Sequence, residues 1–485
     1  MLIHGIAPDD LLLGTMIPLI KNSRESKHSS DNYRALTIGT SLSKLLDIVI
    51  LNQQTDALVS SELQFGFKEK SSTTMCSFMV LETIAYYKSK GRKVHIVLLD
   101  ASKAFDRVNY IKLFDKLISR GMCPLTVRLL LHMYTNQKLQ VKWNSCKSPK
   151  FKVTNGVRQG GVLSPRLFSV YVDELLEKLK ISGSGCHIGH IYVGALGYAD
   201  DIVLLCPSLS GLCDMIKICE EYAKEHSILF NGKKSKYLLF GKCEYNATLL
   251  LNGERIPRCD SADHLGHFLH TQDTSNELTK DAIKTFHKGF HSFMSRFSGC
   301  NTMTRNKLLH QYCRSMYGSQ LWLLSSQSVS DMCTQWRKAH RQVLSLPYRT
   351  HNDLIPLIAD NIPLEVFLDC KFLTFYKSLA SSDNSIISYM AKSRLYNHES
   401  TMGRNMTHLK HKYNLQVEDI LTFSKERLKD HCYKKWKAAV NEDFLFSAHI
   451  VKELIMIKDN RLCITFSYNA GDFSPDFILN YLCTN

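Results

Sequence analysis

The chain has 485 residues, with 61 Lys and Arg against 45 Asp and Glu, a formal net charge of +16 and a pI near 9.1. That length is enough for more than one domain, and the basic excess favours a polyanionic partner, most simply nucleic acid. Sixteen cysteines lie singly between Cys76 and Cys483 with no CxxC pair, which argues against zinc modules and a disulfide framework and for an intracellular, reduced protein. The apolar stretch 6–20, "IAPDDLLLGTMIPLI", is broken by Asp9 and Asp10 and lacks a basic leader. No apolar run reaches membrane-spanning length, so neither a secretory signal nor a membrane partner is expected.

In chain order, "VHIVLLD" (94–100) reads as a buried strand that ends in a carboxylate. "YIKLFDKLISRGM" comes next as a helix with Ile111, Phe114, Leu117 and Ile118 as its apolar positions and Gly121 as its stop. "NGVRQGGVLSP" (155–165) is a glycine-punctuated loop, after which Ser164 and Pro165 suit the cap and first turn of a helix. That helix carries Leu167, Phe168, Val170, Tyr171, Leu175 and Leu179 on one broad face. Residues 188–207 read as a hairpin, one strand ending near Gly197 and the other running from Ile202 to Cys206. "KKSKYLLFG" (233–241) is a further strand. Beyond about 275 helix formers, aromatics and basic residues dominate, which puts a domain boundary near 270.

Asp200 and Asp201, in "GYADD" (197–201), sit at or beside the hairpin tip. An adjacent acidic pair suits a surface turn, and it equally suits a metal site. If the hairpin packs beside the 94–100 strand, Asp100 joins them. Three such charges repel strongly in a partly dry site, and divalent cations relieve that repulsion.

The segments "LLDASKAFDRV" (98–108), "GVRQGGVLSP" (156–165) and "GYADD" resemble the A, B and C motifs of reverse transcriptases, in particular the non-LTR (LINE-type) retrotransposon group. Residues 17–50 and 63–74 resemble its finger motifs. "FNGKKSKYLLFG" (230–241) and "DHLGHFL" (263–269) resemble motifs D and E. Residues 312–322 and 336–352 resemble its thumb and the segment after the thumb. The resemblance covers about residues 15–355.

It implies an α+β right-hand polymerase fold of fingers, palm with antiparallel sheet and helical thumb, plus a mainly helical C-terminal region. The expected division is 1–270 (fingers and palm), 271–355 (thumb-like) and 356–485. The implied activity is RNA-directed DNA polymerisation by two-metal phosphoryl transfer. Its cofactor would be two Mg²⁺ ions, with Mn²⁺ as substitute, and its partners template RNA, a DNA primer or target-site DNA, and dNTPs.

By position the resemblance makes Asp100 and Asp200 the primary metal ligands and Asp201 the third. It makes Phe105 an aromatic gate against the ribose 2′-hydroxyl. Gln159, Gly160 and Gly161 become nucleotide- and template-contacting, Arg34 a triphosphate contact with Lys21 as a weaker candidate, and Leu265 and Gly266 a primer grip. Lys234 is the choice for a general acid toward pyrophosphate, with Lys233 and Lys236 as rivals. Two positions depart from the pattern: Ala35 stands where the family has Pro, and Lys70 where it has Gly.

Arg337, Lys338 and Arg341 in "RKAHR" suit either a backbone-tracking face or a solvated one, and the basic stretch 425–440 with Trp436 reads as a structural helix first. Neither an upstream endonuclease nor a downstream Cys/His knuckle is found, so an endonuclease-less fragment is expected, nuclear or cytoplasmic. The competing readings are an inactive RNA-binding remnant of a retroelement and a maturase-like reverse transcriptase.

Overall fold

A computed structural model describes residues 1, 3–241, 248–272, 274–440, 448, 449, 451, 452 and 455; Cys483 and the rest of the C-terminal stretch lie outside them. The chain forms two units, Met1–Ala262 with Asn384–Ile386, and Asp263–Asp383 with Ile387–Asn485.

The first unit holds two main sheets. β1 (Leu13–Ile20) pairs antiparallel with β2 (Tyr33–Ile38). After β3 (Val94–Leu99), which belongs to the second sheet, β4 (Lys138–Trp143) lies parallel to β1. Its other edge pairs with the short β5 (Cys146–Lys147) and β6 (Phe151–Lys152). A small hairpin of β7 (His187–Ile188) and β8 (Ile191–Tyr192) leads to β9 (Ala195–Tyr198), β10 (Asp201–Cys206) and β11 (Lys236–Phe240). The second sheet runs β11-β3-β10-β9, antiparallel throughout. β12 (Leu249–Leu251) and β13 (Glu254–Ile256) close the unit as a further hairpin.

β3 and β10 occupy the middle of the second sheet, and their Val, Ile and Leu side chains are almost all buried. A strand covered on both faces has no use for polar alternation, which is why "VHIVLL" and "IVLLC" are continuous apolar runs. Helices Thr73–Ser89, Ser164–Ile181 and Leu209–Glu225 pack on this sheet. Ser72 and Ser208 cap the first and third, accepting from the N–H of Met75 and Gly211.

Two local expectations need correction. In the helix Tyr110–Ser119, Ile111 and Ile118 are exposed, while Tyr110 and Leu113 are buried with Phe114 and Leu117. The apolar stripe is rotated because the buried tyrosine and leucine occupy the inward side. Ser164 is the first residue of its helix and not its cap. The N–H groups of Val162 and Leu163, just before the helix, are met from another element, by Asp47 Oδ2 at 3.2 and 3.3 Å. Burial raises the Asp47 carboxyl pKa, and these two N–H groups oppose that shift.

The division falls within β14 (Ser261–His264), which pairs with β15 (His267–His270); after this hairpin the described residues of the second unit are helices and loops. Helices Thr274–Arg296, Thr302–Cys313, Gln327–Val343, Leu364–Ala380, Thr401–Tyr413 and Lys425–Ala438 enclose a core that includes Trp322, Trp336, Phe372 and Tyr413. A cluster joins Leu344, Leu346 and Leu354 to Ile358 and Val451. The division expected at 355 falls inside this cluster, and the described residues on its two sides form one unit. No described helix is long and apolar enough to cross a membrane.

Candidate active site

Asp100 follows the last residue of β3, and its main chain is tied to the 231–235 turn. Its N–H donates to Ser235 Oγ at 3.1 Å, and its carbonyl accepts from Asn231 N at 2.9 Å. Ser235 is fully buried, so the anchor is sheltered from water. Pairing of Ile202 with Leu99 places Asp201, at the head of β10, in register with Asp100 across the sheet. Asp200 precedes it in a tight turn with Ala199, whose φ is +60°.

Burial raises the Asp200 carboxyl pKa, the Asp100 charge adds to the rise, and the Arg34 guanidinium opposes it. Those influences bring Asp100, Asp200 and Arg34 into one electrostatic neighbourhood. Asp201 is exposed, and its charge helps to raise the pKa of the buried Cys76 thiol. Among the described residues, no three His, Cys, Asp or Glu side chains are grouped closely enough to hold a metal ion.

The turn is fixed by a residue that the sequence did not single out. Gln64 is completely buried. Its Oε1 accepts from the N–H of Ala199 and of Gly66, both at 2.9 Å, and its Nε2 donates to the Ala199 carbonyl at 3.4 Å. Main-chain bonds Phe65 N to Gly197 O (2.7 Å) and Gly197 N to Leu63 O (2.9 Å) lay the same segment beside β9. Gly66 is obligatory here, because a Cβ would stand 2.4 Å from Ala199 N. One signal was available: a lone amide between apolar neighbours in "LQFG".

Phe105 lies in a 3₁₀ turn, Ala104–Arg107, and is half-buried. Its ring stacks on Phe168 at 4.5 Å and meets the edge of Phe67 at 6.2 Å. Its carbonyl accepts from Val157 N at 2.8 Å, which joins it to the glycine loop. In that loop Gln159 Nε2 donates to Asp106 Oδ1 at 3.0 Å, and Gln159 O accepts from Thr37 N of β2 at 2.7 Å. Gly160 has φ +111°, and a Cβ there would meet the Thr37 carbonyl at 2.7 Å. Gly161 turns back through its N–H to Arg158 O at 3.1 Å.

The basic candidates divide. Arg34 is exposed on β2, and its charge reaches Asp200. Lys21 donates to the Asp31 carbonyl at 2.9 Å. Lys234 is exposed in the turn before β11, with its N–H on Asn231 Oδ1 at 3.0 Å. Lys233 pairs with Glu254 at 3.4 Å, and Lys236 opens β11. Lys70 has φ +57°, so the turn in which it replaces glycine is left-handed.

Leu265 and Gly266 belong to the second unit. They form the turn between β14 and β15 with φ of +55° and +78°. Gly266 N donates to Asp263 Oδ1 at 2.8 Å, and Tyr317 donates through its hydroxyl to Leu265 O at 2.8 Å. On helix Gln327–Val343, Arg341 donates to Thr350 O (2.7 Å) and Asn352 Oδ1 (2.8 Å), and Arg337 faces Glu365 at 3.5 Å. These two arginines serve the unit's own packing, leaving Lys338 exposed on that helix.

Residues 23–269 match the family described as reverse transcriptase (RNA-dependent DNA polymerase). A Pol polyprotein from the type-1 retrotransposable element R2 of Nasonia vitripennis is 37% identical over 34% of this chain and 15% of its own length. The RNA-directed DNA polymerase from mobile element jockey of Drosophila funebris is 26% identical over 57% of this chain and 30% of its own. A probable RNA-directed DNA polymerase from transposon BS of Drosophila melanogaster is 24% identical over 68% of this chain and 38% of its own. The chain thus spans well under half the length of each of these relatives. The match begins after β1 and covers β2, the rest of the first sheet, the whole second sheet, the carboxylate hairpin and the glycine loop of the first unit. On these grounds the chain belongs to the reverse transcriptase family, in its non-LTR retrotransposon (LINE-type) branch.

Proposed function

We propose that this chain is an RNA-directed DNA polymerase that extends a primer 3′-hydroxyl with deoxynucleotides on an RNA template. The observation that carries the reading is the register that sets Asp201 opposite Asp100, with Asp200 beside it in the turn, at the end of a buried antiparallel sheet.

Mutual repulsion of two carboxylates in a partly buried site calls for a cation, so the residues fit a divalent ion. Magnesium is commonly held by one or two protein carboxylates plus substrate phosphates, so a cage of three protein groups is not required. Asp100 and Asp200 would be the principal ligands and Asp201 the third. Bound Mg²⁺ ions would activate the attacking hydroxyl and neutralise the departing pyrophosphate.

The chain's own side chains supply the rest. Arg34 offers a guanidinium to the triphosphate. Gln159 and the Cβ-free backbone at Gly160 and Gly161 leave room for the nucleotide and template. Phe105, braced by Phe168 and Phe67, holds a ring against a 2′-hydroxyl. Lys234 is the proton donor toward pyrophosphate, and Leu265 and Gly266 hold the primer end.

The test is primer extension on an RNA template with Mg²⁺ and dNTPs, comparing wild type with an Asp200→Asn, Asp201→Asn variant. Template-dependent extension, reduced at least a thousandfold in the variant, is expected. Equal inactivity of both proteins, with folding and RNA binding intact, would leave the RNA-binding remnant as the correct reading.

A further inference from the structure

The sheet of β1, β2, β4, β5 and β6 contains no acidic residue. Its pairing sets lysines directly opposite each other twice, Lys142 with Lys147 and Lys138 with Lys152. Like charges directly opposite on one sheet face are destabilising, and an acid at either member would reverse the sign. All four lysines are exposed. Among the described residues, no ion pair or hydrogen bond holds any of these four ammonium groups. Residues 138–152 carry five lysines and no acid, half of the net +10 of residues 1–262.

Lysines on an edge strand also keep a sheet from pairing with another chain. That accounts for Lys147 and Lys152 on the edge strands. It does not account for Lys138 and Lys142, which sit on the inner strand β4.

The face carrying them can be traced by register. Lys138, Gln140 and Lys142 alternate onto one side of β4. Gln140 lies beside Thr15 of β1 and donates to its hydroxyl at 3.4 Å. From Thr15, alternation along β1 leads to Leu19, whose partner on β2 is Arg34. Arg34 and the four lysines therefore share one face.

We propose that this lysine face, with Arg34 on the same side of the sheet, binds the phosphodiester backbone of a nucleic-acid strand outside the carboxylate site. Lys138 and Lys142 are about 13 Å apart along the strand, so the two pairs contact phosphates a few nucleotides apart. The proposal rests on the polymerase reading for the polyanion being nucleic acid; the binding itself needs neither metal nor catalysis.

The experiment is fluorescence anisotropy of the full chain with a labelled 20-nucleotide RNA, and with DNA of the same sequence, in EDTA across a salt series. Lys147→Glu combined with Lys152→Glu turns both repulsive pairs into attractive ones. Lys217→Glu with Lys224→Glu, exposed positions on the helix Leu209–Glu225, makes the same change in net charge elsewhere.

The ribbon pair is expected to weaken binding at least tenfold more than the control pair. The slope of log affinity against log salt should fall by about 2 to 3, as four lost single-strand contacts require. The unfolding midpoint should hold or rise. Loss with RNA alone, with DNA alone or with both supports the proposal and identifies the strand. Equal loss in ribbon and control pairs with both strands overturns it. If the glutamates lower the midpoint, Lys147→Gln with Lys152→Gln decides by the same comparison. A chain that binds through this face but does not extend primers keeps this inference and loses the polymerase reading.

Discussion

Gln64 shows how a single side chain can set the geometry of a site it does not chemically serve. Replacing it with leucine keeps the volume and removes the acceptor shared by two buried N–H groups, Ala199 and Gly66. An orphaned buried N–H costs about 1–3 kcal/mol. The expected result is a loss of about 2 kcal/mol or more in urea unfolding and at least a tenfold drop in primer extension, with RNA affinity unchanged. Unaltered extension would show that the turn holds its shape without the clamp. Phe105 is a second residue-scale case. Phe105→Val should raise ribonucleotide incorporation relative to deoxynucleotides by an order of magnitude or more, measured by single-nucleotide extension; no gain removes the gate assignment. Asp100 and Asp200 were legible in the sequence because acids at the ends of apolar runs are conspicuous. The role of Gln64 was not, because its partner lies 135 positions away.

Among the elements, the helices of the second unit carry a pH dependence. His310 and His340 lie on neighbouring helices with ring centroids 5.0 Å apart, and His310 Nε2 and His340 Nδ1 are buried without hydrogen-bond partners. Burial holds the pKa of His340 down to about 3 and that of His310 to about 4. Burial likewise holds His264 at about 3 and His267 at about 4. The unfolded chain takes up these protons as pH falls below about 6.5, and the folded state refuses them until nearer 4. Stability is therefore full above about 6.5 and lost progressively as pH falls toward 4. Urea unfolding at pH 5 should show the second unit destabilised by a few kcal/mol relative to pH 7, roughly 2 kcal/mol at most for each imidazole. His340→Phe should flatten that dependence, and an equal midpoint at the two pH values would contradict it. None of this was readable from single histidines in the sequence, since burial is a property of the assembled helices. Strand and helix identities were readable. Errors arose where another element intervened: Asp47 holds the two N–H groups just before the helix that Ser164 was expected to cap, and packing rotated the stripe of helix Tyr110–Ser119.

For the whole molecule, composition and motif order indicated an α+β body followed by a helical one, and the units divide at Ala262 and Asp263, a few residues before the expected 270. The shift is a matter of local packing: β15 packs on the helix Thr274–Arg296, so the division falls inside β14. Net charge pointed toward nucleic acid, but only strand register revealed that half of the first unit's excess lies in one ribbon.

The Gln64 clamp also has a consequence in time. A hairpin tip ordinarily opens and closes far more often than the strands that carry it. Here the tip is stitched by a buried amide to a segment that is itself paired to β9, so it opens only when that pairing and the sheet behind it come apart. The aspartate turn thereby inherits the lifetime of the core.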